Sequence, residues 1–342
     1  MKISTISLKE AIGKPLAHDL TQIDAKNHKK SARFKKGQII TEADVPTLMD
    51  MGREHLSVME MEPGDVHEDD AAIALGAALC GENLKLSVPS EGRCNLVAEK
   101  SGLLQYSPDM VNKVNDDPDW VLSALAPYRP VLEGQTVAGF RIRPLTLQDY
   151  RVQRAVDAVK AAKPFAVLPF RPLRTALVTT GREIVDNHVE DAFRPKLERK
   201  LKRLGGTLLG QRFCTDELRQ IAEAAKAFIA EGAEVVICTG GMSVDADDKT
   251  PGAIRSVCDK ISFQGTPALP GAMMMLGWAG KVAVIGAPAC VAFDEMTALD
   301  KLLPLVFAGV EPGDLVRRWG VGGLCEHCAV CHYPACAFAA SV

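Results

Sequence analysis

The feature that most constrains the fold is an alternation that begins near Arg174. Short apolar runs of strand length, TALVTT (175–180), GTLLGQRF (206–213), AEVVICT (233–239) and KVAVIGAP (281–288), alternate with helical stretches such as RPKLERKLKRLGG and DELRQIAEAAKAFIAEG. Runs this apolar are strands buried on both faces, and helix-length connections let each strand start in the same direction as the last. The pattern predicts an α/β domain with a mostly parallel sheet covered by helices on both faces. In such sheets ligands bind at the carboxyl ends of strands, near the point where strand order reverses. The loops after Thr180, Phe213, Thr239 and Pro288 are therefore the places to look for chemistry.

The amino-terminal half has a different texture. Residues 1–62 read as a small α+β module: ARFKKGQIITEADVPTLMDMG supplies a basic turn, a short strand and an acidic-capped helix, with Val45, Leu48 and Met49 on one face, and EHLSVME the next strand. Residues 63–145 read as a β-rich module, an Ala-rich helix followed by Gly-punctuated strands. Residues 146–172 hold a helix with Tyr150, Val152, Ala155, Val156 and Val159 at helical spacing, then the Pro-rich linker FAVLPFRPLR. The α/β domain spans 173–310 and a Cys-rich tail 311–342.

Composition excludes several classes. Net charge is −3 over 342 residues, and Lys and Arg are spread along the whole length, so nucleic acid has no electrostatic footprint here. No apolar run approaches the ~20 residues that span a bilayer, and the start MKISTISLKEAIGKPLAHDL lacks the apolar core and cleavage site of a signal peptide. A cytoplasmic protein with no nucleic-acid or membrane partner is expected. Six of the ten cysteines (Cys80, Cys94, Cys214, Cys238, Cys258, Cys290) are scattered, several inside apolar runs, as reduced core thiols are.

The strand ends carry the chemistry. In EVVICTGGMSVDADDKTPGAIR (234–255), Gly240 and Gly241 turn the chain sharply and present amides, with the Ser243 hydroxyl, to an anion. Asp245, Asp247 and Asp248 follow, and Thr250 is placed to cap a helix with Pro251 at its first position. Carboxylates beside a phosphate repel it unless something cationic or hydrogen-bond-donating lies between. Mg²⁺ meets that need, as does a ligand with an anionic end and an N–H-donating end. VTTGREIVD places Thr180, Gly181 and Glu183 after the first strand, and CTDELRQI places Thr215 and Asp216 after the second. Alone, Asp216 reads as a helix N-cap and Glu183 as a solvated charge. A parallel sheet would bring them to one crevice.

These residues resemble the molybdopterin-binding domain shared by molybdopterin molybdotransferases (molybdenum insertases), molybdopterin adenylyltransferases and gephyrin, over about residues 173–310. The resemblance implies a three-layer αβα sandwich holding the pterin-dithiolene cofactor at the strand ends. It implies cofactor-binding roles for Thr180, Gly181, Thr239, Gly240, Gly241, Ser243, Thr250 and Pro251, and, in an enzyme, catalytic roles for Asp248 and Asp216, holding Mg²⁺ or a water, and for Glu183, hydrogen-bonding the substrate. The ligand would be molybdopterin or its adenylylated form, with molybdate as a further substrate, and relatives of this type are homo-oligomers. DKTP is closer to the adenylyltransferase branch and GGMSV to the insertase branch. The insertase's lysine-rich KPGKP element is replaced by PALPGAMMM (267–275), which has no lysine, and its PGNP loop by GAPACVA (286–292). That removes the cations that would grip molybdate.

The tail LCEHCAVCHYPACAF sets Cys325, Cys328, Cys331 and Cys336 at spacings x2, x2 and x4. C-x2-C-x2-C fits an Fe–S cluster, whereas Cys325, Cys328, His332 and Cys336 form a C-x2-C-x3-H-x3-C set suited to Zn²⁺. Both remain open, and the tail reads as an appendage. Two functions follow: a molybdotransferase-like enzyme of molybdenum-cofactor biosynthesis, or a non-catalytic carrier, chaperone or sensor serving a molybdoenzyme client. An Fe–S electron-transfer protein is a third.

Overall fold

The apolar runs after Arg174 meet in one six-stranded sheet. The computed structural model describes residues 2–24, 29–181, 191–242 and 249–340. Its sheet strands are β1 (Arg174–Thr180), β2 (Thr207–Cys214), β3 (Val235–Thr239), β4 (Lys260–Gln264), β5 (Met275–Ala279) and β6 (Val282–Ala287). They lie in the order β2-β1-β3-β6-β5-β4. β1 is parallel to β2 and β3, and β3 to β6, while β5 runs antiparallel to both β6 and β4. Strand β5 opens at Met275, inside a stretch that the sequence presents as loop. A two-residue Gly280–Lys281 turn returns it directly into β6.

Successive strand residues serve opposite layers, as a pleated strand requires. Leu177, Ile237 and Ile285 share one core with helices α1 (Phe193–Arg203) and α4 (Ala298–Ala308). Ala176, Val178, Val236, Cys238 and Val284 share the other with α2 (Leu218–Ala230) and α3 (Thr250–Val257). The domain is an αβα sandwich. Each fully buried Leu, Ile or Val contributes roughly 1.5–3 kcal/mol, so the sheet positions its carboxyl-end loops firmly.

Two smaller cores precede it. Leu8, Leu16, Phe34, Ile40, Leu48, Leu56 and Val58 form the first, where Lys2–Ser7 pairs with His55–Glu60. Met49, expected on the buried face of its helix with Leu48, is 64% exposed instead. The second core runs from Ala71 to Val167 and includes Val152, Ala155 and Val159 of helix Asp149–Lys160. Tyr150, expected on that face, is 69% exposed. The Pro-rich stretch is more than a linker. Ala166–Pro169 pairs with Gly102–Gln105, and Phe165 and Val167 are fully buried.

The tail is also built in. Trp319 and Phe338 lie in the same core as α4. Cys325 N donates to Leu269 O at 2.8 Å, Tyr333 Oη to Asp300 O at 2.7 Å, and Lys301 Nζ to Phe338 O at 2.7 Å.

Candidate functional site

Strand order reverses around β1, whose neighbours β2 and β3 follow it on opposite sides. At their carboxyl ends the side chain of Thr180, the carboxylate of Asp216, the Gly240–Gly241 turn and the hydroxyl of Thr250 come together. Gly240 (φ +87°) and Gly241 (φ +54°) both adopt the left-handed region. A Cβ on Gly240 would collide with the Thr180 carbonyl and lie 2.5 Å from Thr180 Oγ1. One on Gly241 would lie 3.0 Å from Thr250 Oγ1 and 3.6 Å from both Asp216 Oδ1 and Thr180 Oγ1. Only glycine allows both the backbone conformation and this close approach.

Thr250 is the first residue of α3, with Pro251 in the first turn and Lys249 at the N-cap position. Its hydroxyl does not cap the helix, as the sequence suggested, but donates to Gly240 O at 2.8 Å and ties the turn to the helix start. The positive end of α3 is thereby held against the glycine turn, where an anion is favoured. Asp216 does not cap α2 either. That N-cap position belongs to Glu217, and the half-buried Asp216 carboxylate faces Gly241 instead. Gly181 N donates to Cys214 O at 3.2 Å, joining the ends of β1 and β2.

One group is left over. Thr180 is 3% exposed and its Oγ1 is buried with no hydrogen-bond partner among the described residues. A buried hydroxyl without a partner is unfavourable by about 1–3 kcal/mol, and a ligand oxygen at the turn would relieve it. Thr239 behaves otherwise. It is buried between strands, its Oγ1 lying 3.5 Å from both Val178 O and Thr179 Oγ1, so it supports the turn rather than lining it. Glu183, Ser243 and Asp248 lie outside the described residues, as do Asp245 and Asp247.

Beside the turn opens a cleft of about 340 Å³, walled by Gly241 and Met242, by Gly271–Met273 before β5, and by Pro288–Cys290 after β6. The last two walls belong to the stretches PALPGAMMM (267–275) and GAPACVA (286–292). Among the described residues, no charged side chain lines the cleft. Burial pushes its thiol, Cys290, up to about 11, which disfavours the thiolate. Met242 was not singled out by sequence reasoning, and its signal was only its position after a strand-end turn.

The tail residues also share a pocket. Cys325, Cys328, Cys331, His332 and Cys336 line a space of about 250 Å³, and none of the thiols is in a disulfide. Among the described residues, however, no three His, Cys, Asp or Glu side chains stand close enough together to hold a metal ion. Asp248, one of the two carboxylates expected to hold Mg²⁺, lies outside the described residues. No helix among them is long and apolar enough to cross a membrane.

Residues 176–307 match the profile of the family described as the probable molybdopterin binding domain. The sheet domain belongs to the molybdopterin-binding domain family. Residues 5–60 match a domain of unknown function (DUF8806). The chain is similar to a molybdopterin molybdenumtransferase of Synechococcus elongatus, 25% identical over 202 residues, which cover 54% of this chain and 50% of that protein. It is 29% identical over 87 residues to a CinA-like protein of Mycobacterium sp. (strain MCS), covering 25% of this chain and 21% of that one. The matches thus span about a fifth to a half of these relatives' lengths. Among solved structures, the molybdopterin biosynthesis enzyme MoaB of Thermus thermophilus aligns with TM-score 0.34 at 16% identity, over 39% of this chain and 89% of that one. The tungsten cofactor synthesizing protein MoaB of Pyrococcus furiosus aligns with TM-score 0.32 at 18% identity, over 40% and 91%.

Proposed function

We propose that the protein binds molybdopterin at the carboxyl ends of β1, β2 and β3 and acts in molybdenum-cofactor biosynthesis, holding the pterin rather than inserting metal into it. One observation carries the reading: Thr180 Oγ1, Asp216 Oδ1 and Thr250 Oγ1 converge on Gly241, beside Gly240, where a Cβ would meet the Thr180 carbonyl. The orphaned Thr180 hydroxyl and the open glycine cradle suit the phosphate, and the Asp216 carboxylate suits an N–H donor of the ligand. Bound molybdopterin supplies the dithiolene that carries the metal. The chain's own residues bind and orient it, and the uncharged cleft beside the turn has no group to grip molybdate among the described residues.

Purified protein titrated with molybdopterin, with and without molybdate and Mg²⁺, tests this in a cofactor-reconstitution assay. Tight pterin binding without gain of molybdenum supports a carrier. Molybdate-dependent activation of an apo-molybdoenzyme overturns it in favour of a molybdotransferase, for which the Asp216 carboxylate at Gly241 is the favouring observation. No binding of the pterin ends both. The shared pocket of free thiols supports a second proposal, that the tail takes up Zn²⁺ or an Fe–S cluster on rearranging. Protein purified anaerobically, folded and free of zinc, iron and sulfide, removes it.

A further inference from the structure

The glycine turn leaves unexplained a larger space elsewhere in the molecule. A cavity of about 780 Å³ lies where three parts of the chain meet: the 129–135 stretch of the second core, helices α1 and α4, and the tail at Tyr333–Ala335. Arg203 and Leu204 border it where α1 ends and the chain turns into β2. This border is toward the amino-terminal edge of the parallel strands, opposite the pterin crevice.

The cavity's charges do not balance internally. Lys200 and Asp300 are both buried and satisfy each other, Nζ lying 2.6 and 2.8 Å from the two carboxylate oxygens. Asp300 also accepts from Thr297 N at 2.8 Å in the cap of α4. The Tyr333 hydroxyl is spent on Asp300 O. That leaves Arg129 and Arg203. Neither has a carboxylate partner among the described residues, and Arg129 Nε is buried with no acceptor at all among them. Arg129, Arg203 and Tyr333 all border the cavity. Glu133 is the other carboxylate in the lining. It is exposed and pairs with neither arginine. Most of the remaining lining is apolar, Phe170 and Leu303 among it.

An apolar chamber of the size that small-molecule sites have, carrying two unneutralised guanidinium forks, has a defined complement. We propose that this cavity is a second ligand site for a small organic acid, an apolar or aromatic body bearing one carboxylate or phosphate. The anionic head accepts from the guanidiniums of Arg129 and Arg203, and the body lies against the wall between α4 and the second core. The inference is independent of the pterin reading, since it uses none of the residues at the glycine turn.

The experiment titrates the full-length protein with 8-anilinonaphthalene-1-sulfonate, an aromatic body with one anionic head. Its uncharged analogue, N-phenyl-1-naphthylamine, serves as the comparison. Saturable binding to one site is expected, and the affinity for the sulfonate should fall about tenfold or more in Arg129→Gln/Arg203→Gln. The uncharged dye should bind wild type and variant alike. Arg203→Gln alone changes an exposed residue and is expected to keep the fold, so if the double variant fails to fold, this single variant must still bind the sulfonate more weakly. Equal sulfonate affinity in wild type and variant overturns the proposal. So does a parallel loss of the uncharged dye, or the absence of saturable binding to wild type. Pterin binding, read separately by pterin fluorescence, is expected to be unchanged in these variants, so the two sites fail or stand apart.

Discussion

The glycine turn and the cysteine tail are equally conspicuous in the sequence, yet the fold treats them differently. At the turn, groups from four separate segments, Thr180, Asp216, Gly241 and Thr250, reach within a few ångströms of one point. In the tail, five ligand-type side chains within one short segment share a pocket, but no three of them are close enough for a metal. What the sheet supplies at the turn is register. Parallel pairing of β1 with β2 and β3 lines up the strand ends, whereas the tail between Leu324 and Cys336 has no ladder to align its thiols. Closeness in sequence is thus a poorer guide to a site than strand order.

The largest test of this contrast separates the tail's anchor from its thiols. Phe338→Ala, which empties a core position, should cost about 3–5 kcal/mol in chemical denaturation. Cys328→Ser, at an exposed position, should stay within about 0.5 kcal/mol. Equal small effects would restore the tail as an appendage.

Lys301 tests the same anchor through pH. Burial beneath Trp319 and Phe338 pushes its ammonium down from 10.5 to about 8. Between those values the unfolded chain binds the proton and the folded one does not, so stability should rise as pH climbs from about 8 to 10.5. The stabilisation is lost as pH falls through 8. Relative to Lys301→Met, the gain should approach roughly 3 kcal/mol, measured as the difference in denaturation midpoints. A flat difference would mean that the tail does not cover Lys301.

At the turn, Gly240→Val should combine strain of about 1–3 kcal/mol with a loss of pterin affinity of about tenfold or more, since its Cβ meets Thr180. Wild-type pterin binding in this variant would show that the turn is not the site. The smallest stability change is expected for Asp216→Asn, within about 0.5 kcal/mol because Asp216 does not cap α2. Any effect should fall on ligand handling. A lowered melting temperature with unchanged binding would return Asp216 to a structural role.

Much of the sheet domain was legible because its strands are buried on both faces and read as continuous apolar runs, as with Val235–Thr239. Strand β5 was missed because Met275 continues a methionine run that begins in the preceding loop. Helix faces were read with one error each: Met49 and Tyr150 are apolar or aromatic residues at near-helical spacing that point to solvent. Of the residues expected at the strand ends, Thr180, Asp216, Gly241 and Thr250 come together, because parallel register aligns their loops.

By itself the sequence determined the α/β layering and a sharp turn at Gly240 and Gly241, because both follow from local rules: two-sided burial and glycine's backbone freedom. Tertiary structure alone decided that Thr250 ties the turn to its helix, that Phe338 seals the core, and that Arg129 and Arg203 face one cavity. Periodicity records which side of an element is buried. Which distant element it meets there is set by strand order and core packing, which no local pattern encodes.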